Sequence, residues 1–257
     1  MEMTKYEHGV PSWVDVGVPD LDQAAAFYSS LFGWECPPGP DEAGGYRVCT
    51  LKGRPVAGLG TQQNPGPPVW ASYVNVDDTE AIVAAVTEAG GQVIVPPMDV
   101  MGLGIMAYFS DPAGAVFGVW QALMFPGAGI VNEPGAFSWT ELLTNDVDGA
   151  KEFYSKVFGW GAETHGEGPG AYTEWQVSGR SIGGMMLKPP MIPAEVPPFW
   201  SVYFTVTDTD ATIEQVKALG GQLMTGPMDI EPGRFAVVAD PAGAAFCVIT
   251  LNPEHIA

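Results

Sequence analysis

The stretch at residues 12–36, SWVDVGVPDLDQAAAFYSSLFGWEC, occurs a second time in the same chain. The copy begins at Ser138 and reads SWTELLTNDVDGAKEFYSKVFGWGA, which is 126 residues further on and needs no gap. Rare residues are among the matches, for example Trp13 with Trp139 and Tyr28 with Tyr154. Because this period is far longer than that of a solenoid repeat, the repetition predicts two homologous domains.

The repeated stretch has the pattern of a half-buried strand followed by a helix. Alternation puts three valines on one face of the strand and Trp13, Asp15 and a glycine on the other. Asp20 stands where a helix N-cap belongs, and Gly33 follows the apolar stripe as a stop signal. The pattern therefore predicts a strand that presents Trp13 and Asp15 to one side and packs its valines against a helix.

A second unit follows in each half and repeats the same order of elements. Residues 70–93, WASYVNVDDTEAIVAAVTEAGGQV, match WSVYFTVTDTDATIEQVKALGGQL, and each half then closes with a D-P-A-G turn and a last strand. The order β-α-β-β-β, written twice per half, predicts an α+β fold with helices on one face of a cupped sheet. We predict a first domain over residues 10–122, a turn-rich linker over 123–135 and a second domain over 136–252.

Charge and cysteine content narrow the classes of function. The chain of 257 residues carries 30 acidic against 10 basic residues, which argues against nucleic acid or an anionic membrane as a partner. Its three cysteines are widely spaced without a C-x-x-C motif, so we expect no disulfide and a reducing compartment. The N-terminus shows no apolar targeting segment. These features together predict a cytoplasmic protein.

The complete pattern resembles the vicinal oxygen chelate superfamily. The residues that carry this resemblance are D-L-D and D-V-D before the helices, F-Y and F-G-W within and after them, and D-P-A-G before each last strand. Glyoxalases, bleomycin-resistance proteins and extradiol dioxygenases belong to this superfamily. The resemblance covers residues 10–252 and is greatest to two-domain dioxygenases and to actinobacterial glyoxalase-like proteins often labelled hydroxylases. It implies tandem cupped sheets.

The resemblance also implies where a divalent metal ion would be held. In the superfamily His, Glu or Gln ligands lie seven residues before the capping Asp of each unit and seven residues after the Asp of D-P-x-G. The matching positions in this chain are Trp13, Ala71 and Gly118 in the first half and Trp139, Ser201 and Cys247 in the second. None of these residue types supplies the imidazole or carboxylate set that such ions need. We therefore expect no metal ion and no cofactor.

A carboxylate follows each of the two matching tryptophans, two residues further along the same strand face. Asp15 and Glu141 are the candidate catalytic residues, since desolvation in an apolar cup would raise their pKa toward acid–base use. The alternative is a structural role in which Arg54, Arg180, a backbone amide or solvent satisfies each carboxylate. Both interpretations remain open at this point.

The candidate ligand-binding residues are aromatic side chains, one thiol and one cation. Trp13 and Trp139 either stack on a flat ligand or simply plug the cups. Arg234 has no match in the first half and either pairs an anionic ligand or is a surface charge. Cys247 is either a soft ligand or a small hydrophobe. The full set is Trp13, Trp139, Trp120, Tyr203, Arg234 and Cys247.

Three functions fit these observations. The first is a metal-independent binding protein for a small aromatic or apolar metabolite or antibiotic, as the resemblance to bleomycin-resistance proteins implies. The second is a glyoxalase-like lyase or isomerase that uses Glu141 or Asp15 as acid or base. The third is a regulatory protein that binds a kinase, because one actinobacterial relative is described as a kinase-binding inhibitor. A small ligand and a protein partner are thus both expected classes of partner.

Overall fold

Two mixed β-sheets and four helices make up the fold in a computed structural model that describes residues 1–63 and 65–255. The elements of the first half are β1 Pro11–Val18, α1 Leu21–Phe32, β2 Arg47–Leu51, β3 Arg54–Thr61, β4 Trp70–Asn75, α2 Thr79–Glu88, β5 Gln92–Asp99, β6 Gly104–Ser110 and β7 Val116–Ala122. Those of the second half are β8 Phe137–Thr144, α3 Val147–Phe158, β9 Gly161–His165, β10 Tyr172–Val177, β11 Arg180–Leu187, β12 Phe199–Thr205, α4 Thr209–Ala218, β13 Gln222–Ile230, β14 Gly233–Ala239 and β15 Ala245–Leu251.

Each half forms its own sheet, and the two sheets have corresponding strand orders. The first has the order β2-β3-β1-β4-β7-β6-β5 and the second β13-β14-β15-β12-β8-β11-β10-β9. The α+β class and the repeated modules are therefore as predicted. One module departs from β-α-β-β-β, because the proline-rich segment after α1 makes only an isolated bridge between Glu35 and Thr50 where the second half has the strand β9.

The beginning of each half folds as its local sequence predicts. Val14, Val16 and Val18 are almost fully buried on one face of β1, in the same core cluster as α1. The Asp20 side chain accepts hydrogen bonds from two backbone N–H groups of the first turn of α1. Gly33 ends the helix with a φ of 73°, a conformation that glycine adopts at low cost. Strand and helix are thus fixed by local signals.

The two halves contribute to each other's cores through the repeated F-Y motif. Tyr28 of α1 donates a hydrogen bond to Asp240 Oδ2 in the D-P-A-G turn of the second half at 3.0 Å, and it accepts one from Trp70 Nε1 at 3.1 Å. The same arrangement recurs with the halves exchanged. Tyr154 of α3 donates to Asp111 Oδ2 at 3.2 Å. Each helix of a first module therefore packs against the second module of the other half.

The N-terminal residues are anchored to the rest of the protein. The Met3 N–H donates to Gly129 O at 3.0 Å, and Glu2 forms an isolated bridge with Ile130 in the segment between the sheets. Arg54 pairs with Glu2 at 2.5 Å and Arg180 pairs with Glu7 at 3.0 Å. Both arginines therefore hold the N-terminal segment, and the prediction that they neutralise carboxylates in the cups is wrong.

The expectation that no disulfide forms is also wrong. Glu35 and Thr50 exchange two backbone hydrogen bonds of 2.9 Å, and this pairing brings Cys36 and Cys49 opposite each other. In an antiparallel pairing, directly opposite residues that do not exchange backbone hydrogen bonds lie close together. The Cα atoms of Cys36 and Cys49 are 4.2 Å apart, and their sulfurs are bonded. Cys247 is free and buried. A contact made by a single bridge leaves no periodic signal in the sequence.

This disulfide removes the support for a reducing, cytoplasmic compartment, because structural disulfides are rare in the cytosol. A separate observation concerns membranes. None of the helices within residues 1–63 and 65–255 has the length and hydropathy needed to cross a bilayer.

Counting thiols will test the disulfide. We expect a thiol reagent to modify no cysteine in the native protein, because Cys247 is 2% exposed and the other two are bonded. Denaturation without reductant should expose a single thiol, and denaturation with reductant all three. Reduction should also lower the free energy of unfolding by about 3 kcal/mol, since the bond closes a short loop. Three reactive thiols without reductant would contradict the assignment.

Candidate functional site

The face of each sheet that lies opposite the helices carries a cluster of aromatic and polar side chains. We call the cluster on the first sheet the first cup, formed by Trp13, Asp15, Tyr46, Tyr73, Tyr108, Trp120 and Phe125. We call the cluster on the second sheet the second cup, formed by Trp139, Glu141, Tyr172, Ser201, Tyr203, Phe235, Val237, Cys247 and Ile249. Because the chain is duplicated, most positions in one cup have a direct counterpart in the other.

Asp15 is the centre of a hydrogen-bond network in the first cup. Its Oδ2 accepts from Tyr46 at 2.9 Å and from Tyr73 at 3.0 Å, and Tyr73 in turn has a short hydroxyl contact with Tyr108. Burial raises the pKa of Asp15 to about 6, although the two tyrosine hydrogen bonds lower it. Tyrosine hydroxyls, rather than an arginine, therefore satisfy this carboxylate.

Aromatic rings fill the rest of the first cup. The Phe125 ring packs edge-on against Trp13 with a centroid distance of 4.9 Å, and Trp120 Nε1 donates to the Phe125 backbone oxygen at 2.7 Å. Trp13 Nε1 donates to Tyr46 at 2.9 Å. The exposed fraction of Trp13 is only 5% as a result. Of the two roles considered for Trp13, the structure places it within a plug.

Glu141 is the counterpart of Asp15 but has fewer partners. Its Oε2 accepts a hydrogen bond of 2.6 Å from Tyr203, and its Oε1 accepts none from any residue that the structure describes. Glu141 is 5% exposed. Burial raises its pKa to about 7, and the Tyr203 hydrogen bond lowers it by less than burial raises it. This carboxyl therefore gains or loses its proton near neutral pH.

Tyr172 is a second group with an unused hydrogen-bonding function. Its oxygen accepts from Trp139 Nε1 at 2.9 Å, as Tyr46 accepts from Trp13. Unlike Tyr46, the Tyr172 hydroxyl has no acceptor among residues 1–63 and 65–255. The indole of Trp139 is only half-buried. The second cup thus presents a hydroxyl donor and an accessible aromatic ring, whereas their counterparts in the first cup are hydrogen-bonded to Asp15 and buried.

The difference between the cups follows from a few substitutions. Tyr108 pairs with Gly118 across the first sheet. In the second sheet Cys247 occupies the position of Gly118, and its partner is Val237, so a valine replaces Tyr108. The position of Trp120, two residues after Gly118, is Ile249 in the second half. The second cup therefore lacks two of the aromatic side chains that close the first.

The thiol of Cys247 belongs to the second cup but is not primed for nucleophilic chemistry. Its Sγ lies 3.3 Å from Ser201 Oγ, and the residue is 2% exposed. Burial raises the pKa of the thiol to about 12, because a thiolate is poorly solvated there. Since the thiol stays protonated at neutral pH, Cys247 contributes apolar volume and a weak hydrogen bond.

Arg234 does not lie in the second cup. Its neighbour Phe235 packs on Tyr203 at 6.1 Å, and successive residues of a strand face opposite sides. Its guanidinium instead binds Asp210 at the start of α4 at 3.1 Å and Asp229 at 2.8 Å. The prediction that Arg234 pairs an anionic ligand in this cup is therefore wrong.

Two glycines within the strands mark where the hydroxyls of Tyr46 and Tyr172 lie, and the sequence interpretation did not use this signal. A side-chain carbon placed on Gly58 would lie 1.8 Å from the Tyr46 oxygen, and one placed on Gly184 would lie 1.9 Å from the Tyr172 oxygen. Only glycine allows a phenol to lie across the strand at these positions. Gly58 lies within the strand β3. A glycine at the same place in both copies indicates a close approach.

The side chains at the implied metal positions do not fit a transition-metal ion. These positions are occupied by Trp13, Ala71 and Gly118 and by Trp139, Ser201 and Cys247. Within residues 1–63 and 65–255 no group of three His, Cys, Asp or Glu side chains is arranged to hold a metal. A single carboxylate beside a protonated thiol does not provide the donors that these ions need. The side chains of the cups themselves are therefore the candidates for binding and chemistry.

Comparison with known proteins agrees with the geometry. A family model described as the Glyoxalase/Bleomycin resistance protein/Dioxygenase superfamily matches residues 11–119 and again 136–248. The chain belongs to this superfamily. The resemblance stated from the sequence motifs is thus confirmed. As a member of the glyoxalase superfamily, the chain carries the fold twice, once for each half.

Relatives of full length share this tandem organisation. The chain is 41% identical, over 98% of both chains, to a protein of Mycobacterium tuberculosis named "Putative glyoxylase CFP32". It is 37% identical, over 98% of this chain and 97% of the other, to "Anthracycline biosynthesis protein DnrV" of Streptomyces peucetius.

Solved structures show the same superfamily fold. The Mn(II)-bound glyoxalase from Novosphingobium aromaticivorans has a TM-score of 0.67 at 21% identity, covering 97% of this chain and 83% of that one. The 2,2',3-trihydroxybiphenyl 1,2-dioxygenase from Sphingomonas wittichii has a TM-score of 0.65 at 16% identity, covering 98% and 95%. At these identities the likeness concerns the fold alone.

Proposed function

We propose that this member of the glyoxalase superfamily binds a small planar aromatic molecule in its second cup without the help of a metal ion. The observation that carries the proposal is the pair of unused polar functions, Glu141 Oε1 and the Tyr172 hydroxyl, beside the half-buried indole of Trp139. Binding sites for small molecules place a few polar groups on an apolar wall, so an acceptor and a donor left open on one face favour a ligand that supplies both.

The apolar part of the second cup supports an aromatic ligand. Trp139 packs with Phe235, Val237 and Ile249 around Tyr203. Flat rings bind well against indole and phenol faces and bury a large area for few rotatable bonds. The relationship to a protein named for anthracycline biosynthesis points to the same class of molecule. A hydroxylated aromatic carbonyl compound offers both the ring and the two polar groups.

Calorimetric titration with 1,8-dihydroxyanthraquinone as the probe will test this proposal. Trp139→Leu should weaken binding about tenfold or more, because an aromatic anchor in a binding site carries a large share of the affinity. Trp13→Leu is the matched control, since it alters the corresponding residue of the other cup and should leave the affinity unchanged. Equal effects of the two substitutions, or no heat from the native protein, would contradict the proposal.

Acid–base catalysis in the same cup is the second candidate function, and the raised pKa of Glu141 favours it. A carboxyl with a pKa of about 7 exchanges protons efficiently at neutral pH, which suits proton transfer in a lyase or isomerase. Under this hypothesis Glu141→Gln abolishes turnover of the bound aromatic compound, whereas Asp15→Asn in the first cup preserves it. Unchanged turnover in Glu141→Gln would exclude this role.

A further inference from the structure

We propose that residues 123–125, called here the strap, are a built-in occupant of the first cup. We further infer, on the basis of the proposed function, that the aromatic ring of a ligand lies beside Trp139 in the second cup as the Phe125 ring lies beside Trp13 in the first. Each chain then binds one ligand, and its ring packs edge-on against Trp139. The ligand class is a phenol that also carries a carbonyl or similar acceptor.

The strap is held in place by its backbone as well as by its ring. The N–H groups of Leu123, Met124 and Phe125 all point to Leu103 O, at 3.1, 3.0 and 2.9 Å. The Phe125 oxygen accepts from Trp120 Nε1. These contacts fix the ring between Trp13 and Trp120, with centroid distances of 4.9 and 6.1 Å and nearly perpendicular planes. A ring with an adjacent carbonyl therefore fills the first cup.

Among the residues that the structure describes, no equivalent strap covers the second cup. After β15 the backbone turns away, with the Asn252 N–H donating to Pro232 O, and a short 3-10 helix follows at Pro253–His255. Within the part of the chain that the structure describes, no aromatic ring contacts Trp139 as Phe125 contacts Trp13. Ile249 also replaces the Trp120 that holds the strap. The position filled by Phe125 in the first cup therefore has no such occupant in the second from any residue in 1–63 and 65–255.

The polar groups differ in the same direction. In the first cup the Tyr46 hydroxyl donates to Asp15, so each tyrosine hydroxyl around that carboxylate has a protein partner, while Asp15 Oδ1 accepts no hydrogen bond from the described residues. In the second cup the Tyr172 hydroxyl lacks an acceptor and Glu141 Oε1 lacks a donor among the described residues. Burial and then the nearby Glu141 carboxylate raise the pKa of the Tyr172 phenol, which shows that the two groups are close together. A ligand hydroxyl donating to Glu141 and a ligand carbonyl accepting from Tyr172 complete this network.

Opening the first cup is the direct test. In calorimetric titration with 1,8-dihydroxyanthraquinone we expect about one ligand per chain for the native protein and about two for Phe125→Ala, since a preformed apolar site binds once its occupant is removed. Leu123→Ala is the matched control, because it changes an exposed strap side chain without removing the ring, and it should still bind one. Closing the second cup with Ile249→Trp should weaken the native site about tenfold.

The outcomes separate the strap from the proposed function. One ligand for both the native protein and Phe125→Ala overturns the strap while leaving binding in the second cup intact. No binding to the native protein but one ligand for Phe125→Ala supports the strap and overturns the proposed function. Two ligands for the native protein, or none for either, overturns the strap. Acrylamide quenching provides a readout without ligand, because Phe125→Ala should expose the two tryptophans that its ring contacts, Trp13 and Trp120, and Leu123→Ala should not.

Discussion

Asp240→Ala will lower the free energy of unfolding by about 3–5 kcal/mol, because it removes the acceptor at the centre of a buried network. Asp240 is 1% exposed. Its Oδ1 accepts from the N–H groups of Ala242 and Ala244 at 2.9 Å, and its Oδ2 accepts from Tyr28 at 3.0 Å. The substitution thus breaks the D-P-A-G turn and also detaches α1 from the second half.

Urea unfolding followed by tryptophan fluorescence will measure this loss. Tyr28→Phe is the graded control, since it removes one hydrogen bond and keeps the ring, and it should cost about 1–2 kcal/mol. Asp111→Ala, the counterpart in the first half, should behave like Asp240→Ala because its carboxylate likewise binds Tyr154 and the backbone of Ala115. A loss below about 1 kcal/mol would mean that the contact between halves is not a principal source of stability.

Glu141→Gln will stabilise the protein at alkaline pH by about 3 kcal/mol, the free energy equivalent of a pKa raised from 4.5 to about 7. The sign follows from proton binding. Because the native state holds the Glu141 proton more tightly than the unfolded state, the native protein loses stability as pH rises from 4.5 to about 7. Glutamine has no such penalty and still accepts the Tyr203 hydrogen bond, so the gain vanishes below pH 4.5.

Denaturant midpoints at a series of pH values will test this prediction. Glu88→Gln, at the exposed end of α2, is the control and should change stability little at any pH. A difference between Glu141→Gln and the native protein that does not vary with pH would show that the carboxyl is not held in the protonated form. The same titration locates the pH range in which any proton transfer by Glu141 operates.

Local signals in the sequence were sufficient for the fold. The caps at Asp20 and Gly33 and the buried valines of β1 depend on neighbouring residues, so a pattern of a few positions predicts them. Because the sequence is duplicated, each pattern occurs twice and could be checked against its copy. Because Asp15 in β1 and Glu141 in β8 each come two positions after a tryptophan, their place on the cup faces could also be predicted from the alternation of the strands.

Contacts between distant segments were beyond the reach of the sequence. The hydrogen bond from Tyr28 to Asp240 joins residues 212 positions apart, and no local period encodes it. The tyrosine partners of the carboxylates come from neighbouring strands, and only Gly58 and Gly184 hinted at their approach. Arg234 was misplaced because its face depends on the register of β14. The Cys36–Cys49 bond depends on one isolated bridge.

The exchange of helices between the halves bears on how one chain came to have two unequal cups. A homodimer built from one half would repeat every contact under twofold symmetry. An aromatic ring that filled one cup would therefore fill the other cup as well. Covalent fusion of the two halves removes this symmetry requirement, since the segment that joins β7 to β8 exists once per chain and fills only the first cup. One copy is then free to serve as architecture while the other keeps its working surface.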